Sequence, residues 1–257
     1  MARRVSVLLA TLGLLAIAAA PVSAANINSQ NAFRVTNLDS DVAGLAAHVD
    51  PDLVNGWGIV AGPTTPWWVA DNGTHRSTLY TGAGAKIPTV IVDVHGANGE
   101  PANPTGIVFN GVSTEFMITG ATGATTNARF IFDGEDGAIS GWNGGSFSVV
   151  KATSTNGAIY KGLAIGSTGG RQYLYATDFH NNHVDVIDDT WNYQHWGGAF
   201  VDPGIPAGFA PFGIQNLNGQ IYVTYAKQDA DAHDEIAGPG LGYVSVFGTD
   251  GSFHGRV

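Results

Sequence analysis

The chain of 257 residues contains no cysteine. Disulfides, thiolate nucleophiles and thiolate metal ligands are therefore closed to it, and stability must come from burial and hydrogen bonding. Charge is scarce as well. Asp, Glu, Lys and Arg make up 12% of residues, with 21 acidic against 11 basic side chains and a formal charge of −10. The basic residues are scattered singly, without the stripe that displaces counterions from a polyanion, which argues against nucleic acid as a partner. Enzyme signatures are missing too: there is no Gly-x-Ser-x-Gly elbow, no His-Glu-x-x-His helix and no Gly-x-x-x-x-Gly-Lys-Ser/Thr loop.

Long apolar runs are confined to the start. Arg3 and Arg4 precede an apolar stretch from Val5 to Ala20, and Pro21 and Ser23 break it before the small residues Ala24 and Ala25. This pattern is that of a secretory signal peptide over residues 1–25, since a membrane anchor needs about 18 or more unbroken apolar residues. It predicts a secreted, periplasmic or cell-surface protein with no transmembrane span in the mature part. Removing it leaves nine basic against 21 acidic residues, a balance that suits solubility or cation binding.

What is abundant is glycine, 36 residues, about twice the usual share. It recurs in a pattern. Asn55-Gly-Trp-Gly-Ile59, Asn103-Pro-Thr-Gly-Ile107, Ile159-Tyr-Lys-Gly-Leu163 and Ala210-Pro-Phe-Gly-Ile214 each place Gly before a branched aliphatic residue, at separations of 48, 56 and 51. Those separations match propeller blades. Second strands follow at Trp67–Asp71, Phe116–Thr119, Tyr173–Asp178 and Ile221–Tyr225, and third strands at Ser77–Tyr80, His183–Ile187 and Tyr243–Phe247. Thr89–Val94, Phe147–Val150 and Trp196–Val201 read as outer strands, and Phe33–Leu38 as a leading strand. Blade two is ambiguous, because Arg129–Phe132 and Ala138–Trp142 form a hairpin that competes with Phe116–Thr119.

The expectation is one all-β domain over residues 26–257, a β-propeller of four-stranded blades starting near residues 55, 103, 159 and 210. Four blades can close a ring. The stop at His254-Gly-Arg-Val257, where the fourth strand of the last blade is due, instead points to a C-terminally truncated six-bladed ring. The reason for glycine at the start of each inner strand is steric: inner strands converge on an axis, where a side chain at the glycine collides with the neighbouring strand.

The motifs NGWGIV, NPTGIVFNG, ARFIFDGEDGAISGW, YKGLAIG, PFGIQN and VTYAKQDADAHDEIAGPG resemble a family of exported, propeller-like proteins found mainly in bacteria and without an established activity. The resemblance covers about residues 33–257 and implies further blades at the C-terminus, with no catalytic residues to carry over. More distantly, Tyr173–Val186 is similar to the strand-turn-strand signature of NHL-type repeats, which implies a binding surface.

Candidate chemistry falls in three places. On the axial face, Asn55 and Asn103 lie three before their glycines, and Trp57, Thr105, Lys161 and Phe212 directly before theirs; Asn55, Trp57, Asn103, Lys161 and Phe212 are the candidate ligand-binding set. Lactonase-like propellers gather Glu, Asn or Asp residues around an axial Ca²⁺, and a similar arrangement would use Asn55, Asn103 and an acidic residue. The loop Gln228–Glu235 offers Asp229, Asp231 and Glu235 as hard oxygen ligands for Ca²⁺, outside EF-hand spacing. Asp178 with His180 and His183 forms a partial transition-metal set at a turn. Each also has a plain structural reading, as Asx turns or a solvated acidic loop. The leading functional expectation is a non-enzymatic binding or scaffold module for an extracellular ligand, polymer or envelope protein. The alternative is a Ca²⁺-dependent, lactonase-like hydrolase.

Overall fold

The computed structural model describes residues 33–257, and the expected signal peptide lies outside them. Asn37–Val257 form one compact unit, while Phe33–Thr36 carry no secondary structure. The leading strand expected at Phe33–Leu38 is thus absent. A strand needs a partner edge, and only its last two residues meet one, with Asn37 and Leu38 carbonyls accepting from the Ala47 and His48 N–H groups. Asp39–Ser40 and His48–Val49 continue this contact as a short parallel pair.

Four antiparallel sheets of four strands follow in chain order. Blade I comprises Gly56–Val60, Trp67–Asp71, Arg76–Tyr80 and Val92–Asp93. Blade II comprises Pro104–Phe109, Phe130–Gly134, Ala138–Trp142 and Val149–Thr153. Blade III runs through Tyr160–Thr168, Arg171–Asp178, His183–Asp188 and Tyr193–Gln194, and blade IV through Phe209–Leu217, Gln220–Lys227, Gly242–Gly248 and Phe253–Arg256. Inner strands touch in the order I, II, III, IV, the arrangement of a β-propeller.

Three expectations are corrected. The second strand of blade II is Phe130–Gly134, not Phe116–Thr119, whose Met117–Thr119 pairs with Thr125–Asn127 in a separate hairpin. Both segments alternate; what selects Phe130–Gly134 is apolarity on both faces, with Phe130 and Phe132 packed toward blade I and Ile131 toward blade III. The outer strands are Val92–Asp93, Val149–Thr153 and Tyr193–Gln194, shifted from those expected. Trp196, placed on an outer strand by its pattern, instead meets Tyr173 edge-on at 4.9 Å. Finally, the fourth strand of blade IV is formed, pairing Ser245 with Arg256 and Phe247 with Phe253.

The core lies between blades. Trp68, Leu79 and Val92 meet Ile107, Phe130 and Phe132 between I and II. Ile131 and Ile139 meet Tyr160, Leu163, Leu174 and Ile187 between II and III, and Tyr175 and Val186 meet Ile221, Val223 and Phe247 between III and IV. Trp68 stacks on Phe130 at 4.0 Å, so this aromatic is a wedge between sheets, as are Tyr175 and Phe247.

A buried carboxylate lies at or next to the end of the second strand in each of the first three blades: Asp71, Asp133 and Asp178. Thr78 donates to Asp71 at 2.7 Å, while Thr105 at 2.9 Å and the Gly106 N–H donate to Asp133. One oxygen on each of Asp71 and Asp133 has no partner. Burial pushes Asp71 up to about 7 and Asp133 up to about 6, against the opposing pull of those donors. Both values exceed the unfolded 3.8, so between the two the native state binds more protons than the unfolded chain. Stability is full below the unfolded value and falls as pH rises through 6 to 7. Asp71→Asn is expected to flatten this dependence, shrinking the loss between pH 4 and pH 8 by up to about 4 kcal/mol, as read by urea unfolding at the two pH values.

Candidate functional site

Each inner strand carries a β-bulge at its glycine. Register slips between Gly56 and Ile59, between Tyr160 and Leu163, and between Pro211 and Ile214, with the matching slip in blade II opposite Thr105 and Gly106. A bulge re-aims the residue it displaces. Here the residues before the glycines, Trp57, Thr105, Lys161 and Phe212, line one axial cavity of about 830 Å³.

Lys161 is the centre of this site. Its side chain is fully buried, and its Nζ donates to Glu135 Oε1 at 2.5 Å and Asp234 Oδ1 at 3.1 Å. The ammonium also lies 5.4 Å from the Trp57 ring and 6.0 Å from the Phe212 ring. Those rings face each other at 5.6 Å, and Phe179 braces Phe212 edge-on at 5.4 Å. From Glu135 the network continues: Asn72 Nδ2 donates to Glu135 Oε2 at 3.2 Å, and Asn55 Nδ2 to Asn72 Oδ1 at 3.1 Å. Asn55 sits in the left-handed region, φ 53°, where an asparagine is tolerated, and this turns its amide toward Asn72. Asp234 is held below its ordinary value: partial burial opposes this, and hydrogen bonds from Lys161 and His233 outweigh it.

Of the expected axial set, Asn55, Trp57, Lys161 and Phe212 converge. Asn103 is an exposed rim residue whose carbonyl accepts the Glu135 N–H at 3.1 Å. Thr105 is withdrawn into the Asp133 hydrogen bond. The acidic loop reaches the axis through His233 and Asp234, whereas Asp229 closes its own loop by accepting the His233 N–H at 2.9 Å. Asp231 and Glu235 are exposed, and neither belongs to a ligand cluster among the described residues. Glu135, His233 and Asp234 join this axial cluster without having been singled out in the sequence. The one mark of Glu135 in the sequence is its place in the acidic turn Asp133-Gly-Glu-Asp-Gly137, which does not reveal that the turn reaches the axis.

The Asp178 cluster also changes composition. His180 turns away, with Nδ1 3.3 Å from the Ala232 carbonyl, and Asp185 takes its place beside His183 at 2.9 Å. Asp185 drives His183 up to about 9, against partial burial.

The bladed architecture and the axial convergence define the chain as an all-β propeller. No family model matches it. It is similar to an uncharacterized protein of Acanthamoeba polyphaga mimivirus, at 34% identity over 235 residues covering 86% of this chain and 60% of that protein. A second uncharacterized protein of the same virus is 32% identical over 232 residues, covering 86% of this chain and 56% of its own. The chain thus spans 56% to 60% of the length of these relatives, which are viral where the motif resemblance implied bacteria. Among solved structures, virginiamycin B lyase from Staphylococcus aureus aligns with TM-score 0.47 and 14% identity, over 80% of this chain and 70% of that one. A streptogramin B lyase structure aligns with TM-score 0.43 and 15% identity, over 80% of this chain and 64% of that one. No helix among the described residues is long and apolar enough to cross a membrane.

Proposed function

We propose that this chain is the ligand-binding propeller of an exported protein and that its axial mouth takes a neutral, hydroxyl-rich ligand, such as one sugar unit of an extracellular polymer, without transforming it. The observation that carries this reading is the fixed Lys161 ammonium, locked between Glu135 and Asp234 beneath the Trp57 and Phe212 rings. A charged ligand has to break that internal pairing. A polyol does not: its C–H face stacks on the indole, and its hydroxyls meet Asn55 and the free carboxylate lone pairs.

The calcium-dependent lactonase reading requires an ion at the axis. There the nearest carboxylates already hold an ammonium, and a donor set of Glu135 and Asp234 shared with Lys161 does not fit an ion that takes six to eight oxygens. Screening immobilised neutral polysaccharides tests the proposal. Trp57→Ala is expected to weaken capture at least about tenfold with the fold intact by circular dichroism, and Phe253→Ala, on the outer strand of blade IV, to leave it unchanged. Capture indifferent to Trp57→Ala, or turnover of the polymer without retention, refutes it.

A further inference from the structure

Away from the axis, a second polar cluster lies at a groove of about 710 Å³ lined by Ser154, His183, Asp185, Tyr193, His195 and Trp196. We propose that Asp178, His183 and Asp185 form a binding site for one first-row transition-metal ion, distinct from the axial ligand site. One atom from each of the three lies within 4.8 Å of the others, and all three come from adjacent strands of blade III. His183 pairs with Asp178 across the second and third strands, and Asp185 follows two residues later on the same face.

The surroundings are arranged as a ligand shell is. His183 Nδ1 lies 3.3 Å from the Asn181 carbonyl, and a nitrogen facing a carbonyl oxygen keeps its proton, so Nε2 is the coordinating atom once the metal displaces the proton it shares with Asp185. That nitrogen faces Asp185 Oδ1 at 2.9 Å and Asp178 Oδ2 at 3.7 Å. The far oxygen of each carboxylate is held by a donor: Tyr160 Oη to Asp185 Oδ2 at 2.6 Å, and the Asn181 N–H to Asp178 Oδ1 at 3.0 Å. Asp178 and Tyr160 are themselves fully buried, so their orientation is fixed by the packing between blades II and III. Such outer hydrogen bonds set the tautomer and direction of metal ligands. Imidazole with two carboxylates suits zinc, iron or manganese, and three protein ligands leave coordination positions open toward the groove.

Isothermal titration of the metal-stripped protein with Zn²⁺ at pH 8, paired with Co²⁺ absorption spectra, tests this. One ion per chain is expected, with a visible Co²⁺ band. His183→Ala and Asp185→Asn should abolish both, and Tyr160→Phe, which removes the hydroxyl shared by Asp185 and Tyr193, should weaken binding about 10- to 100-fold. Circular dichroism confirms that His183→Ala, at a part-exposed position, remains folded. No binding at millimolar Zn²⁺, or binding that survives His183→Ala and follows His233 instead, overturns the assignment.

Discussion

Gly106→Ala is expected to destabilise the protein by about 3 kcal/mol or more, a loss read as a fall in the urea midpoint. A Cβ at this position would stand 2.2 Å from the Leu163 backbone nitrogen, 2.6 Å from Leu163 Cβ and 2.7 Å from Asp133 Oδ1. None of these can move alone, because the Leu163 backbone belongs to the inner strand of blade III and Asp133 is held by Thr105 and the Gly106 N–H. The equivalent glycines grade the effect. At Gly58 the nearest atoms are the Thr105 carbonyl at 2.7 Å and Ile107 nitrogen at 2.8 Å, and at Gly162 the Phe212 carbonyl is at 3.1 Å. At Gly213 only the Thr224 hydroxyl lies near, at 3.1 Å, so Gly213→Ala should cost about 0.5 kcal/mol or less. Equal losses at Gly106 and Gly213 would show that the glycines serve backbone freedom and not the approach of one blade to the next.

Lys161→Met is expected to cost a comparable amount. It removes the ammonium from a side chain with no exposed surface and leaves Glu135, only 14% exposed, without its cation. Breaking a buried pair from one side costs about 3–5 kcal/mol, because the remaining charge is stranded. Adding Glu135→Gln to Lys161→Met neutralises the stranded charge and should recover at least half of the loss, measured in the same unfolding experiment. Neither variant should retain the polymer if the axial reading is right, which separates the structural from the binding consequence. A single Lys161→Met variant as stable as the parent would mean that the ammonium is not held by Glu135 in solution.

The inner strands were legible because close packing imposes glycine there, and glycine at intervals of 48 to 56 residues survives as a pattern. The residues before the glycines were legible for the same reason, so Trp57, Lys161 and Phe212 were found together. Glu135 and Asp234 were not, since both sit on connecting segments whose path over the axis depends on curvature that no local pattern encodes. In blade II, two segments shared the alternating signature, and what separates Phe130–Gly134 from Met117–Thr119 is burial of both its faces between neighbouring blades. Asp185 was legible in principle, two positions after His183 and so on the same face of one strand.

Trp57 and Phe212, from blades I and IV, meet at 5.6 Å, with about two thirds of the described chain between them. Closing so long a loop is entropically slow, so the mouth is completed late in folding, after the local hairpins have formed. A chain nicked between the two rings would keep its local hairpins and lose the paired aromatic mouth.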